Sequence, residues 1–129
     1  MEQLAVDTNA VIEWLRPEKP DPPPIRGARS IVVPLPVLGE LYTGAFSSVR
    51  RDTNIELLVK LTRENLLIAP DEATASIYGQ LRARLRFDKI GASKINDVWI
   101  AALAIQHSLP LLTNDRGFDI FPELRTIHW

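Results

Sequence analysis

Cysteine is absent from the 129 residues, which excludes disulfide bonds, thiol catalysis and thiolate metal sites. Long apolar runs are also missing, since no segment approaches the roughly 20 apolar residues that cross a bilayer. The first five residues carry an acid and no basic cluster, unlike a secretory signal. We therefore expect a cytoplasmic protein that has no membrane association.

The sequence has no excess of positive charge, because 15 lysines and arginines are balanced by 16 acidic residues. Proteins that hold nucleic acid by electrostatics alone are usually strongly basic, so the composition argues mildly against that partner. The arginines are nevertheless clustered at Arg82, Arg84 and Arg86, with Lys89 close behind. This basic stretch is either a solvated helix face or a surface that follows RNA phosphates near Asp97.

Short apolar runs alternate with stretches of helical spacing along the chain. A length of 129 residues corresponds to one domain, over residues 1–129. Strands are predicted at residues 4–6, 30–33, 66–68, 109–113 and 126–129. They are continuously apolar, which is typical of strands buried on both faces of a parallel sheet. The alternation predicts the α/β class, with three α/β/α layers and a short parallel sheet of four to five strands.

Helices are predicted between these strands from the spacing of apolar residues. They cover residues 10–16, a segment that starts near Pro34 and Pro36, residues 55–62, a long segment from Asp71 to the break at Gly91, and residues 95–107. Five prolines between Pro17 and Pro24 predict a stiff, extended surface connector rather than a further element.

Four acidic residues fall where predicted strands end or the following helices begin. Asp7 directly follows the first strand, and Asp115 lies just past the fourth. Glu40 lies in the first turns of the helix after the second strand, and Asp97 lies near the start of the alanine-rich helix. Ligands of an open parallel sheet bind beyond the carboxyl ends of its strands. We therefore expect the four acids to meet at one edge of the sheet.

Four ionised carboxylates in one pocket need a compensating positive charge, because each raises the pKa of the others. Mg²⁺ or Mn²⁺ supplies that charge, and both prefer carboxylate and water oxygens. Small residues share the helix face of two of the acids: Gly44 lies one turn after Glu40, while Ala101 and Ala104 lie one and two turns after Asp97. They would leave space beside the carboxylates.

Each acid also has an ordinary explanation when it is taken alone. Asp7 can cap a helix, Asp97 is favoured in a first turn by the helix dipole, and Asp115 can belong to a turn before Gly117. The shared location of the four acids is what favours a metal site.

Four segments that contain these acids resemble, in order and spacing, the successive signatures of PIN domains. They are Val6-Asp7-Thr8-Asn9, Gly39-Glu40-Leu41-Tyr42-Thr43-Gly44, Asn96-Asp97-Val98-Trp99-Ile100-Ala101-Ala102 and Leu112-Thr113-Asn114-Asp115-Arg116-Gly117-Phe118. The resemblance spans nearly the whole chain and is greatest to the VapC-type toxins of bacterial toxin–antitoxin pairs. The proline stretch is not part of the family pattern.

The resemblance implies a PIN-like fold and a Mg²⁺- or Mn²⁺-dependent endoribonuclease that a small cognate antitoxin holds inactive and that forms a homodimer. It also assigns roles to residues of this chain. The catalytic and metal-binding acids would be Asp7, Glu40, Asp97 and Asp115. Thr8 and Asn9 would hold the Asp7 loop, while Asn96 and Thr113 would orient carboxylates or water. In-line attack by hydroxide on RNA would leave a 5′-phosphate and a 3′-hydroxyl.

Two other classes remain open. A phosphotransferase of the haloacid-dehalogenase type also uses an aspartate after its first strand, but it needs a second acid where this chain has Asn9. A catalytically silent PIN-like module that binds RNA or protein would show the loss of an acid, and all four acids are present. Asp119 is a further acid near the fourth signature, for which we favour a loop role.

Overall fold

The computed structural model describes residues 2–85 and 94–129. Its strands are β1 (Gln3–Val6), β2 (Ser30–Pro34), β3 (Leu66–Ile68), β4 (Leu111–Leu112) and β5 (Thr126–Ile127). They form one sheet in the order β3-β2-β1-β4-β5, in which every neighbouring pair is parallel. The predicted α/β class is confirmed, with five strands in the sheet.

Helices fill the connections between the strands. They are α1 (Thr8–Trp14), α2 (Pro23–Arg26), α3 (Leu35–Phe46), α4 (Arg51–Glu64), α5 (Glu72–Arg84), α6 (Ile95–Gln106) and a 3-10 helix (Arg116–Ile120). The chain moves outward from β1 to β3 and then crosses back to β4, so right-handed crossovers place the two groups of helices on opposite faces of the sheet. The predicted three-layer arrangement is confirmed. No helix in the described ranges is both long and apolar enough to cross a membrane.

The core surrounds α6, which packs against α5, α3 and β2. Six residues of α6 are buried, in an almost continuous run from Val98 to Ala104. A helix that is apolar on nearly every side is buried on nearly every side, which explains the alanine-rich sequence. Because Ala101 and Ala104 are fully buried and small, α6 can pack tightly within this core, with Asp97 in its first turn.

The prediction of burial on both faces is wrong for β3. Leu66 and Leu67 are 48% and 41% exposed, because β3 is an edge strand that pairs only with β2 in the described sheet. A short apolar run alone does not distinguish an edge strand from a central one.

The prediction of an extended proline connector is wrong for its last part. Pro23 and Pro24 occupy the first positions of α2, with Pro22 before them. Proline is accepted there because the N–H groups of a first helical turn have no partner within the helix. The buried side chain of Ile25 anchors this turn to the core.

Candidate active site

The site lies at the carboxyl ends of β1 and β4, the two strands at the middle of the sheet. Val6 and Leu112 are register partners, so the next residues, Asp7 and Thr113, emerge side by side. The chain then leaves β1 towards β2 and leaves β4 towards β5, in opposite directions. Such a switch point opens a crevice, which is where ligands of parallel sheets bind.

Asp7 is held across this crevice by side chains from two segments. The Thr113 hydroxyl donates to Asp7 Oδ2 at 2.7 Å, and Asn9 Nδ2 donates to the same oxygen at 3.2 Å. Thr113 is fully buried and Asp7 is 5% exposed. Although Asp7 precedes α1, its carboxylate makes no capping bond to that helix within the described chain, so the ordinary explanation as a helix cap does not apply.

Burial raises the pKa of the Asp7 carboxyl above its usual range. The hydrogen bond from Thr113 offsets part of this effect, and the negative charges of Glu40 and Asp115 add to it. The fold therefore keeps a carboxylate in an apolar position next to other acids, which is electrostatically unfavourable until a cation arrives.

Glu40 reaches the same edge from α3. The Thr8 hydroxyl, at the start of α1, donates to Glu40 Oε1 at 3.1 Å. Glu40 is half-buried, so it lies nearer to solvent than Asp7. Asn9 thus contacts Asp7, whereas the hydroxyl of Thr8 contacts Glu40 and not the Asp7 carboxylate.

Asp97 and Asp115 face each other across a lysine. Lys94 Nζ lies 3.9 Å from Asp97 Oδ2 and 3.7 Å from Asp115 Oδ2. Burial, and after it the charge of Asp7, raise the pKa of Asp97 to about 6, although the Lys94 ammonium acts in the lowering direction. Sequence analysis did not identify Lys94, although its position three residues before Asp97 at the start of a helix is a signal for such a pair.

Asp115 is fixed by its own turn. Its Oδ1 accepts from the Gly117 N–H at 2.8 Å, and its N–H donates to the Thr113 hydroxyl at 3.0 Å. A Cβ atom on Gly117 would lie 2.9 Å from Asp115 Oδ1, so a larger residue would push the carboxylate aside. The ordinary explanation as a turn residue is thus correct for one oxygen of Asp115, while the other faces Lys94.

Two predicted positions differ from expectation. Asn96 Nδ2 donates to the Pro36 carbonyl oxygen at 3.4 Å, so its observed partner is the start of α3 rather than a carboxylate. An added Cβ on Gly44 would meet nothing within 4 Å, but the open space there belongs to an apolar groove of about 470 Å³ between α1, α3 and α4. Gly44 therefore lines that groove.

The basic stretch is described only in part. Arg84 binds Glu123 with Nη2 at 2.9 and 2.6 Å from the two carboxylate oxygens. Helices α5 and α6 run antiparallel, because Asp71 at the start of α5 accepts from Gln106 at the end of α6 and Tyr78 stacks on Trp99. The end of α5 therefore lies on the side where α6 begins, and a role of Arg84 in RNA binding stays a prediction. Arg82, two residues earlier on the same helix, is half-buried. Arg86, Lys89 and Gly91 lie outside the described residues.

The other acid near the fourth signature has a local role. Asp119 Oδ1 accepts from the Thr126 hydroxyl at 3.0 Å, and this bond holds the pKa of Asp119 below its usual value. His128 lies 3.4 Å from the same oxygen and donates from Nδ1 to the Thr113 carbonyl at 2.6 Å. This pair supports the Thr113 segment, a contact that the sequence analysis missed.

The four acids suit a hard divalent cation by their chemistry, because all supply carboxylate oxygens and their charges act on one another. As they stand, however, no three acidic or histidine side chains in residues 2–85 and 94–129 are gathered closely enough to hold an ion. Hydrogen bonds and Lys94 occupy the oxygens instead. Binding a cation would require Asp97 and Asp115 to exchange the lysine for it.

Comparisons with known proteins agree with this arrangement. The PIN domain family model matches residues 4–124. Ribonuclease VapC4 of Mycobacterium tuberculosis is 30% identical over 92 residues, 70% of either chain, and Toxin FitB of Neisseria gonorrhoeae is 30% identical over 132 residues, 88% of either chain. The crystal structure of DNA-bound VapBC from Salmonella typhimurium matches with a TM-score of 0.83 at 26% identity, over 100% of this chain and 99% of that one. The chain belongs to the PIN-domain family and, within it, to the group of the VapC and FitB toxins.

Proposed function

We propose that this chain is a Mg²⁺- or Mn²⁺-dependent endoribonuclease and the toxin of a toxin–antitoxin pair. The observation that carries the proposal is a buried carboxylate, Asp7, whose pKa is raised in part by the acids beside it at the switch point of the sheet. The similarity to a protein named as a ribonuclease and to another named as a toxin supports the choice of RNA as substrate.

The four carboxylates would have different roles, according to their surroundings. Asp7, Asp97 and Asp115 would hold the ion, with Asp7 kept in one orientation by Thr113 and Asn9. A bound Mg²⁺ or Mn²⁺ lowers the pKa of water and neutralises charge on the scissile phosphate. Glu40 would join this site, and since it is more exposed than the buried Asp7, it would accept the proton of the attacking water.

Cleavage of RNA in the presence of different ions tests this function. We expect the purified chain to cut single-stranded RNA with Mg²⁺ or Mn²⁺, to lose activity in EDTA and to leave 5′-phosphate and 3′-hydroxyl ends. An Asp97→Asn preparation, purified identically, controls for contaminating nucleases. Activity that survives EDTA, or products that end in a 2′,3′-cyclic phosphate, would contradict the proposal.

We propose that the antitoxin binds in the apolar groove between α1, α3 and α4. Ile12 and Leu57 line this groove and are 49% and 40% exposed, a large apolar area for the surface of a small chain. The groove also includes Thr8, which contacts Glu40, so a partner seated there would lie beside the active site. The similar Salmonella structure is of a VapBC complex, which supports a protein partner.

A charge placed in the groove tests this partner site. We expect Ile12→Glu to prevent co-purification with a co-expressed cognate antitoxin, because burying the carboxylate without a partner is unfavourable. Val49→Glu is the matched control, since Val49 is fully exposed and does not line the groove. Unchanged co-purification of Ile12→Glu would place the antitoxin elsewhere.

We also propose that the chain forms a homodimer, as the family resemblance implies. An exposed apolar patch supports self-association: Phe46 is 56% exposed and stacks on Tyr42, near the C-terminal end of α3. Sedimentation velocity measures the oligomeric state directly, and a monomer at micromolar concentration would contradict the proposed homodimer.

A further inference from the structure

Lys94 is the charged residue that faces the acid site from the start of α6. Both ion pairs that reach the four acids in the described part of the chain come from this one ammonium, to Asp97 and to Asp115. Its side chain is 53% exposed, against 25% for Asp97 and 34% for Asp115. The lysine is therefore more exposed than the two carboxylates it bridges, and among the residues that the structure describes no second cation pairs with either of them.

An ammonium at this position acts on the site in two ways. It stabilises the carboxylates while no metal is bound, because it lies within 4 Å of an oxygen of each. It also opposes an incoming divalent cation, because it repels positive charge and occupies the oxygens that the cation needs. Within the described ranges no three acids are gathered closely enough to hold an ion, and two of the four share the lysine instead.

We infer that Lys94 is an internal counter-ion that divalent metal must displace, and that it thereby sets the metal concentration at which the site fills. The inference rests on the proposed metal site at the four acids. Lys94 is flexible and half exposed, so its ammonium can swing into solvent when a cation arrives, with little cost to the fold. It acts through the carboxylates, as a positioning residue.

Calorimetric titration of the metal-free protein with Mn²⁺, in the absence of RNA, tests the inference. We expect Lys94→Met to bind Mn²⁺ about three- to ten-fold more tightly than the unsubstituted chain, because the competing charge is gone. Lys94→Arg, which keeps the charge, should bind it about as the unsubstituted chain does. Lys60→Met on the exposed side of α4 removes the same net charge far from the site and should leave the affinity unchanged.

Thermal unfolding in EDTA gives a second readout that needs no metal. Lys94→Met should melt at a lower temperature than Lys60→Met in EDTA, and the difference should shrink with saturating Mn²⁺. Equal or weaker Mn²⁺ binding by Lys94→Met, with binding intact in the unsubstituted chain, would overturn the role of the lysine alone. If the unsubstituted chain bound no Mn²⁺ at all, both the proposed metal site and the displacement of Lys94 by metal would be contradicted. The melting temperatures in EDTA would then still show whether Lys94 stabilises the acids.

Discussion

Asp7→Asn should abolish RNA cleavage and at the same time make the metal-free protein more stable. Asparagine has nearly the shape of aspartate, and its amide oxygen can still accept from Thr113 and Asn9. It lacks the negative charge that a divalent cation needs. We expect a loss of at least about 100-fold in the cleavage rate, since metal ligands at such sites contribute several kcal/mol to catalysis.

The gain in stability follows from the burial of Asp7. Its pKa is raised because the charged form is poorly solvated and lies near Glu40 and Asp115. At neutral pH the ionised carboxylate is therefore less favourable in the folded state than in the unfolded state, where water solvates it. Removing that charge should raise the melting temperature in EDTA by a few degrees. A residue that costs stability while it supports activity is typical of a functional site.

Cleavage assays and thermal unfolding in EDTA, carried out on the same preparations, measure both effects. Asp21→Asn, in the exposed connector before α2, removes an equal charge from solvent and should change neither quantity. Full activity in Asp7→Asn would remove Asp7 from the site. A lower melting temperature in EDTA would show instead that the carboxylate is part of what holds β1 to β4.

The position of the acids could be predicted from the sequence because it depends on few features. The carboxyl ends of parallel strands share an edge, and Asp7 and Asp115 follow strands that the apolar runs identify. The family resemblance assigns Thr113 the role of orienting a carboxylate or water, and in the structure its hydroxyl donates to Asp7. Local sequence and the topology of the sheet point to the same edge, which explains why short motifs were informative here.

Other features depend on contacts between segments that are distant in sequence. Arg84 pairs with Glu123, 39 residues further along the chain, a contact that spacing within α5 cannot predict. The exposure of β3 depends on which strand ends the sheet, which no single strand reveals. Lys94 is within reach of Asp97 by local spacing, but its second partner, Asp115, comes from another segment.

The metal-free protein should lose stability as the pH rises from about 4 to about 6. The pKa of Asp97 is 3.8 as a free side chain and about 6 in the fold, so between these values the folded state binds more protons than the unfolded state. Stability therefore falls with rising pH across this interval and levels off above it. The raised pKa of Asp7 acts in the same direction.

Mg²⁺ should reverse this dependence, because it binds the ionised carboxylates and competes with protons for them. Unfolding by urea at pH 5 and pH 7.5, with EDTA or with Mg²⁺, measures the free energy of unfolding in each state. In EDTA we expect the free energy of unfolding of the unsubstituted chain to fall by up to about 2 kcal/mol between pH 5 and pH 7.5. Asp97→Asn should lose less, since asparagine does not titrate. With Mg²⁺, stabilisation should be largest at pH 7.5, where Asp97 is ionised. Equal stabilisation by Mg²⁺ at both pH values would mean that the ion binds away from Asp97.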